Sequence, residues 1–275
     1  PTPIVVIADS VHDATLGIAM NALKAGALTV VEKPAGPGAE AYDKIASTIA
    51  TQLFIMSQVP VIRRRDTSAR KPPSRQSADG LILEARANIV GIAASTGGPP
   101  ALAAVLGALS RDFPAPVLLV QHMGAPFMEG FASWLAGQSA LRVKLAEDRE
   151  TPRAGTVYVA PGDRHLELAP GNFLRLTSEP PIASQRPAAN VLFQSLARVA
   201  GAKAVGVLLT GMGEDGARGL VQMKDAGAFT IAEDETTSVV YGMPGAAVRM
   251  GGVSVSLPQD LIAARLNQIT AEQIR

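Results

Sequence analysis

The sequence predicts an α/β protein built on a mainly parallel, doubly wound sheet with helices on both faces and an inserted β-hairpin. Over residues 87–270, short aliphatic runs alternate with helical patterns, as in a parallel sheet with crossover helices. The chain is 47% hydrophobic and only 4% aromatic, so aliphatic side chains must form most of the core. Pro170-Gly-Asn172 separates two short apolar runs, which is typical of a hairpin turn.

Residues 1–60 are predicted to form a short α/β segment. Strands are expected at Pro3–Ala8 and Leu28–Lys33, and helices at Asp13–Ala25 and Gly38–Ser57. Two strands and two helices make a poor core alone, so we interpret the segment as half a domain. The chain begins at Pro1 inside a strand-like run, which we interpret as a cut.

Residues 61–86 contain several arginines among proline, serine and threonine, and they are predicted to be an exposed linker. Docking of this stretch to an acidic partner is the alternative.

Residues 87–275 then form the main domain. Its strands are expected at Ile89–Ala93, Val117–Val120, Val143–Ala146, Ala204–Leu209, Phe229–Ala232 and Val253–Leu257, and its helices after Pro99, after Pro126, at Ala188–Ala200 and at Gly216–Ala226. Residues 156–177 depart from this alternation, with short strands at Val157–Ala160, His165–Leu168 and Phe173–Leu176.

Composition excludes several classes of function. A net charge of +1 gives no reason to expect nucleic acid or a membrane surface as a partner. The absence of cysteine excludes disulfides and thiolate catalysis, and the three histidines lack metal-ligand spacing. No apolar run approaches the roughly 20 residues of a membrane span, and no signal peptide is visible. We therefore expect a cytoplasmic protein without membrane insertion, metal or cofactor.

Three polar side chains follow apolar runs and suggest one catalytic site. Ser95 ends a strand-like run and starts Ser-Thr-Gly-Gly-Pro, a turn leading into a helix. His122 follows the run at Val117–Val120, and Asp215 follows the run at Ala204–Leu209. Because the carboxyl ends of parallel strands meet at one edge, a nucleophile, a base and an orienting acid could converge there.

Each of these residues also has a structural interpretation. Ser95 could cap the following helix, a lone histidine at a strand end is more often structural, and Asp215 could cap a helix beginning near Gly216. Glu214 is expected to point to solvent. The turn matches neither nucleotide-binding glycine motif, and Ala93 stands where a hydrolase nucleophile elbow has glycine.

The motifs together resemble the protein-glutamate methylesterases of bacterial chemotaxis, and the resemblance covers residues 87–270 in the same order. The matching runs are Gly91-Ile-Ala-Ala-Ser-Thr-Gly-Gly-Pro, Gln121-His-Met, Ala160-Pro-Gly-Asp-Arg-His165, Leu209-Thr-Gly-Met-Gly-Glu-Asp-Gly-Ala and Ala232-Glu-Asp-Glu-Thr-Thr-Ser-Val-Val-Tyr-Gly-Met-Pro. The resemblance implies hydrolysis of γ-glutamyl methyl esters on the cytoplasmic helices of chemoreceptors, with release of methanol. It also implies deamidation of receptor glutamines.

The resemblance assigns roles to individual residues. Ser95 would be the nucleophile, His122 the base and Asp215 the orienting acid, with the backbone N–H of Met212 as oxyanion donor. The pocket would be shaped by Thr96, Gly97 and Gly98. Weaker candidates for substrate contact are His165 and Arg186.

Residues 1–60 resemble the second half of a receiver domain, so the fold would be preceded by a partial receiver-like segment. Lys33-Pro34 matches the receiver pattern, whereas Ala8 stands where receivers carry a switch serine or threonine. The phosphate-accepting aspartate would lie upstream of Pro1, and a histidine kinase would be the phosphodonor for a complete receiver. We therefore expect residues 1–60 to be loose or abnormally packed, and the activity to be high and insensitive to phosphodonor.

Three departures from the family pattern surround the expected cleft. They are Met123-Gly-Ala-Pro-Phe-Met, Gln185-Arg-Pro-Ala-Ala-Asn190, and Glu233 in place of a glutamine. They bear on substrate range more than on reaction type. The alternatives are a related hydrolase with another ester or amide substrate, a regulatory binding module without turnover and, least favoured, a nucleotide-binding domain.

Overall fold

The computed structural model describes residues 2–8, 13–34, 42–58 and 87–271. Its N-terminal segment has the four predicted elements: β1 (Val5–Ala8), α1 (Asp13–Lys24), β2 (Thr29–Glu32) and α2 (Tyr42–Gln58). The two strands pair in parallel. Residues 38–41 of the second predicted helix and the predicted linker at 61–86 lie outside the described residues.

In the described part of the chain the main sheet contains seven strands, and every pair in it is parallel. They are β3 (Ile89–Ala94), β4 (Val117–Gln121), β5 (Arg142–Leu145), β6 (Thr156–Val159), β9 (Ala204–Leu208), β10 (Phe229–Glu233) and β11 (Val255–Leu257). The predicted hairpin is confirmed as the antiparallel pair β7 (His165–Ala169) and β8 (Phe173–Thr177), which form a sheet of their own. The run at Thr156–Val159 instead joins the main sheet between β4 and β5.

Within residues 87–271, six α-helices accompany this sheet: α3 (Gly98–Gly107), α4 (Met128–Ala136), α5 (Ala189–Val199), α6 (Ala217–Asp225), α7 (Met243–Arg249) and α8 (Gln259–Ala271). The first four were predicted, whereas α7 and α8 were not. Among the described helices, none combines the length and the apolarity that crossing a membrane requires.

Both faces of the main sheet are buried. Along β3, Ile89 and Ala93 belong to one buried cluster with side chains of α5, α6, α7 and the hairpin. Val90 and Ile92 belong to a second cluster with side chains of α3, α4 and α8. Because side chains alternate along a strand, this division places helices on both faces and confirms the doubly wound fold.

The strand order explains where the site lies. The sheet runs β11-β10-β9-β3-β4-β6-β5, so the chain leaves β3 toward β4 on one side and later returns to β9 on the other. In open α/β sheets, binding sites form beyond the carboxyl ends of the strands at such a change of direction. The three loops with Ser95, His122 and Asp215 follow the three adjacent strands β3, β4 and β9.

The N-terminal segment packs on the main domain. Ala19, Met20 and Leu23 of α1 are buried and share a core cluster with side chains of α3 and α4. In addition, the Gly97 N–H donates a hydrogen bond of 3.1 Å to the Leu28 carbonyl. The segment therefore reaches the turn that follows Ser95.

Candidate active site

Ser95 lies in the turn between β3 and α3 and is half-buried. Its N–H donates to the Thr210 carbonyl at 3.0 Å, and its carbonyl accepts the Gly98 N–H at 2.8 Å. Gly97 is the N-cap residue of α3 and has a left-handed φ of 77°. A Cβ at Gly97 would lie 2.6 Å from the Val239 side chain, so this position needs glycine for both conformation and space. Ser95 is therefore not the helix cap, which leaves its hydroxyl for another use.

His122 and Asp215 form a buried pair at the ends of β4 and β9. The His122 Nε2 lies 2.9 Å from the Asp215 Oδ2, and the two side chains are 5% and 4% exposed. Because the carboxylate can only accept, Nε2 carries the proton and Nδ1 keeps the lone pair. Asp215 thus fixes the tautomer in which Nδ1 is the basic nitrogen.

Asp215 is held by the N-terminus of α5. Its Oδ2 accepts the Ala189 N–H at 2.6 Å, and its Oδ1 accepts the Asn190 N–H and the Gly216 N–H, each at 2.9 Å. The first N–H groups of a helix lack partners within the helix and favour an anion. The Asp215 side chain therefore caps α5, not the helix that begins near Gly216.

These contacts set the ionisation of Asp215. Burial alone would raise the pKa of this carboxyl, but the hydrogen bond and charge of His122, together with the N–H groups of Asn190 and Ala189, outweigh burial and lower it. The group remains an anion and can stabilise an imidazolium at His122.

Among the described residues, the Ser95 hydroxyl forms no hydrogen bond with His122. Contacts between nucleophile and base are often long in unliganded sites and tighten when substrate binds. The structure thus brings the predicted base and acid together and places the predicted nucleophile on the adjacent strand end.

Met212 lies in the loop after β9, with 39% of its surface exposed. Gly211 fixes this loop, because its N–H donates to the Val240 carbonyl at 3.0 Å and its carbonyl accepts the Met243 N–H at 2.8 Å. In the part of the chain that the structure describes, the Met212 N–H has no hydrogen-bond partner. It is free to donate to an oxyanion.

Thr210 and Glu233 support the same loop from inside. The Thr210 N–H donates to the Glu233 Oε2 at 2.7 Å, and the Thr210 hydroxyl donates to the Thr96 carbonyl at 3.0 Å. Glu233 is 1% exposed. Burial raises the pKa of Glu233 to about 7, against the lowering effect of the Thr210 N–H.

The side chain of His165, which was predicted to contact substrate, lies inside the fold. The residue is 1% exposed. Its Nδ1 accepts the Ala188 N–H at 3.1 Å and its Nε2 lies 3.2 Å from the Pro180 carbonyl, so both ring nitrogens are used within the fold. The side chain supports the segment that leads into α5.

Arg186 and Glu214 differ in how the fold uses them. The Arg186 Nη1 donates to the Ser178 and Glu179 carbonyls at 3.1 and 3.3 Å, so it braces its own loop. As expected, Glu214 points outward, with 62% of its side chain exposed and Arg249 at 3.8 Å.

Sequence reasoning missed several residues that hold the site. Ala189 and Asn190 act through backbone N–H groups, which leave no side-chain signal. Gln121 is a polar residue at the end of an otherwise apolar strand, and this was the one available hint. Within the described ranges, no group of three or more potential ligand side chains could hold a metal ion.

Comparison with known proteins agrees with this geometry. The profile of the CheB methylesterase family matches residues 90–266, which is more than half of the chain. The chain belongs to the CheB methylesterase family. The family resemblance of the sequence motifs is thereby confirmed.

Relatives and a solved structure extend the match. A protein-glutamate methylesterase/protein-glutamine glutaminase of Paramagnetospirillum magneticum is 49% identical over 98% of this chain and 77% of its own length. A protein of the same name from Nitrosospira multiformis is 42% identical over 99% of this chain and 78% of its own length. The crystal structure of the Thermotoga maritima CheB methylesterase catalytic domain is 40% identical, with a TM-score of 0.65, covering 66% of this chain and 98% of that domain.

Proposed function

We propose that this chain is a serine hydrolase that demethylates γ-glutamyl methyl esters of chemoreceptors and deamidates receptor glutamines. The observation that carries the proposal is the buried His122–Asp215 pair, which lies beside Ser95 at the carboxyl edge of the sheet. Family membership supports the substrate class, since the relatives are named for both activities.

In the first half-reaction, the Ser95 Oγ attacks the ester carbonyl while the His122 Nδ1 takes its proton. The carbonyl oxygen becomes an oxyanion, which the free N–H of Met212 stabilises. Asp215 stabilises the imidazolium that forms. The imidazolium then protonates the leaving oxygen, methanol departs, and a glutamyl ester on Ser95 remains.

In the second half-reaction, water attacks this acyl-enzyme and His122 takes a proton from the water. The second oxyanion collapses and expels the Ser95 Oγ, which takes the proton back from His122. The receptor side chain is left as glutamate. A glutamine substrate follows the same steps, with ammonia in place of methanol. One site thus accounts for both activities by acyl transfer.

The proposed partners are the methylated cytoplasmic helices of chemoreceptors, and the proposed compartment is the cytoplasm. A histidine kinase would be the phosphodonor of a complete receiver. Two contacts support a regulatory role for the N-terminal segment: the Leu28 carbonyl on the Gly97 N–H and the Gln52 amide oxygen on the Thr96 hydroxyl. Both lie on the turn that follows the proposed nucleophile.

The test is methanol release from methylated chemoreceptor membranes by the chain and by Ser95→Ala. The unmodified chain is expected to release methanol and Ser95→Ala to release at least about 1,000-fold less, because the nucleophile is lost. Ser256→Ala, which removes an exposed hydroxyl from β11, is the matched control and is expected to retain full activity.

Absence of methanol release from the unmodified chain contradicts the proposal. Methanol release together with equal rates for Ser95→Ala contradicts the assignment of the nucleophile alone. Faster hydrolysis of simple esters than of methylated receptor would instead favour a related esterase.

A further inference from the structure

The side chain of Gln121 joins the backbone of the proposed nucleophile to the backbone of the proposed base. Gln121 is the last residue of β4, is 1% exposed and directly precedes His122. Its Nε2 donates to the Ser95 carbonyl at 2.9 Å and to the His122 carbonyl at 3.0 Å. One amide group therefore joins the loop after β3 to the loop after β4.

The buried oxygen of this amide, Oε1, has no hydrogen-bond partner among the described residues. It lies against Gly98, where an added Cβ would collide with it. Gly98 opens α3, and the partial positive charge of a helix N-terminus makes an unpaired carbonyl oxygen tolerable there. The amide is thus held in one orientation, with its two hydrogens toward the catalytic loops.

A glutamine suits this position better than other side chains of its size. Two carbonyl oxygens need two donors from one planar group, and the carboxamide NH₂ supplies both. A carboxylate would bring a charge and no donor to the same two oxygens. An apolar side chain would leave both of these hydrogen bonds unmade.

We propose that Gln121 is a positioning residue that fixes the distance between the Ser95 turn and the His122 loop. This inference rests on the proposed function, because it concerns the transfer of the Ser95 proton to His122. Among the described residues the Ser95 hydroxyl forms no hydrogen bond with His122, so the backbone has to hold the two groups in register for proton transfer. Both hydrogen bonds of the Gln121 Nε2 end on backbone carbonyls, so we assign it an effect on the positions of Ser95 and His122 and not on the reacting atoms.

The experiment compares Gln121→Met and Gln121→Glu with the unmodified chain. Methanol release is measured over a range of receptor concentrations, and kcat is expressed per active site titrated with a serine-directed fluorophosphonate. We expect kcat to fall by about 10- to 100-fold in both variants, with KM within about twofold, because misplacement of reacting groups slows chemistry. Gln222→Met, at an exposed position on α6, is the matched control and is expected to retain both constants.

The pH profile separates positioning from loss of fold. The carboxyl group introduced by Gln121→Glu keeps one donor only while it is protonated, so the kcat of this variant relative to the unmodified chain should fall as the pH rises. For Gln121→Met the same ratio should stay constant with pH. A purely structural role would lower the fraction of titratable sites and leave kcat per site unchanged.

Gly98→Ala provides a second disturbance of the same contact without changing residue 121, because its Cβ would collide with the Gln121 amide and also lie 2.9 Å from the Ala94 Cβ. The same loss of kcat per site is expected, and this variant decides the matter if both Gln121 variants fail to fold. Unchanged kcat per site, or a rise in KM alone, overturns the inference. No methanol from the unmodified chain is a different result, which contradicts the proposed function itself.

Discussion

The fold shifts the pKa values of two buried carboxyl groups near the Ser95 turn in opposite directions. Asp215 is surrounded by donors: the His122 ring and the N–H groups at the start of α5 lower its pKa despite burial. Glu233 has the Thr210 N–H as its main donor, and burial raises its pKa to about 7. The number of donors, more than depth, decides which carboxyl group is fully charged at neutral pH, where Glu233 with its pKa of about 7 is still partly protonated. The fully charged group, Asp215, is the one proposed to stabilise an imidazolium.

Glu233→Gln is expected to stabilise the protein at alkaline pH. The pKa of Glu233 rises from 4.5 in the unfolded chain to about 7 in the folded one, so the unfolded state loses its proton first. The free energy of unfolding therefore falls as the pH rises through this window and stays low above it. Glutamine has the same shape, still accepts the Thr210 N–H and carries no charge. We expect a gain of up to about 3 kcal/mol near pH 8 and little change near pH 4.

Urea unfolding of both proteins at the two pH values measures this difference. Glu235→Gln removes an exposed carboxyl two residues away and serves as the control, with no pH-dependent gain expected. An equal effect of Glu233→Gln at both pH values would show that packing, and not ionisation, distinguishes the two side chains.

At the scale of elements, the position of Asp215 depends on the close approach of α5 and α6. Gly219 on α6 faces α5, and its N–H donates to the Asn190 Oδ1 at 2.8 Å. A Cβ at Gly219 would lie 2.6 Å from the Cβ of Phe193 and 3.2 Å from the Cα of Asn190. The small Gly219 therefore lets α5, whose N–H groups donate to Asp215, lie close to α6, which directly follows the Asp215 loop.

Gly219→Ala is expected to force the two helices apart. Alanine ordinarily gains about 1 kcal/mol over glycine inside a helix, but overpacking against backbone and Cβ atoms costs about 1–3 kcal/mol. We expect a net loss of stability in chemical denaturation, together with a fall in kcat, because the α5 N–H groups move away from Asp215. Arg218→Ala, at the neighbouring exposed position, should change stability by less than about 0.5 kcal/mol. A Gly219→Ala protein as stable and active as the unmodified chain would contradict this account of the helix contact.

The elements also show what could be predicted from the sequence. Strands such as Val117–Gln121 are short, continuous apolar runs, and their order predicted the sheet and the edge at which Ser95, His122 and Asp215 lie. The helix at Met243–Arg249 was missed because it is short and carries proline and glycine in its first turn. The partners of Asp215 could not be predicted, because they are backbone groups brought together by packing between distant parts of the chain.

For the whole molecule, the N-terminal segment and the main domain meet at the candidate active site. The buried residues of α1 join the core cluster of α3 and α4, which fixes the segment on that side of the sheet. From there the Leu28 carbonyl reaches the Gly97 N–H, and Gln52 on α2 reaches Thr96. Thr96 is only 2% exposed, whereas Ser95 next to it is half-buried. The segment thus covers one side of the turn and leaves the other side open.

Gln52→Ala is expected to raise kcat/KM for methylated receptor. The Thr96 hydroxyl donates to the Gln52 Oε1 at 3.4 Å, a long and partly buried contact. Losing it should favour the uncovered turn by about 0.5–1 kcal/mol, which corresponds to about two- to fivefold in rate. Thr51→Ala, at the adjacent exposed position of α2, keeps this contact and should leave the rate unchanged. Equal kcat/KM for the Gln52→Ala and Thr51→Ala proteins would contradict a role of the Gln52 contact in limiting access to the Ser95 turn.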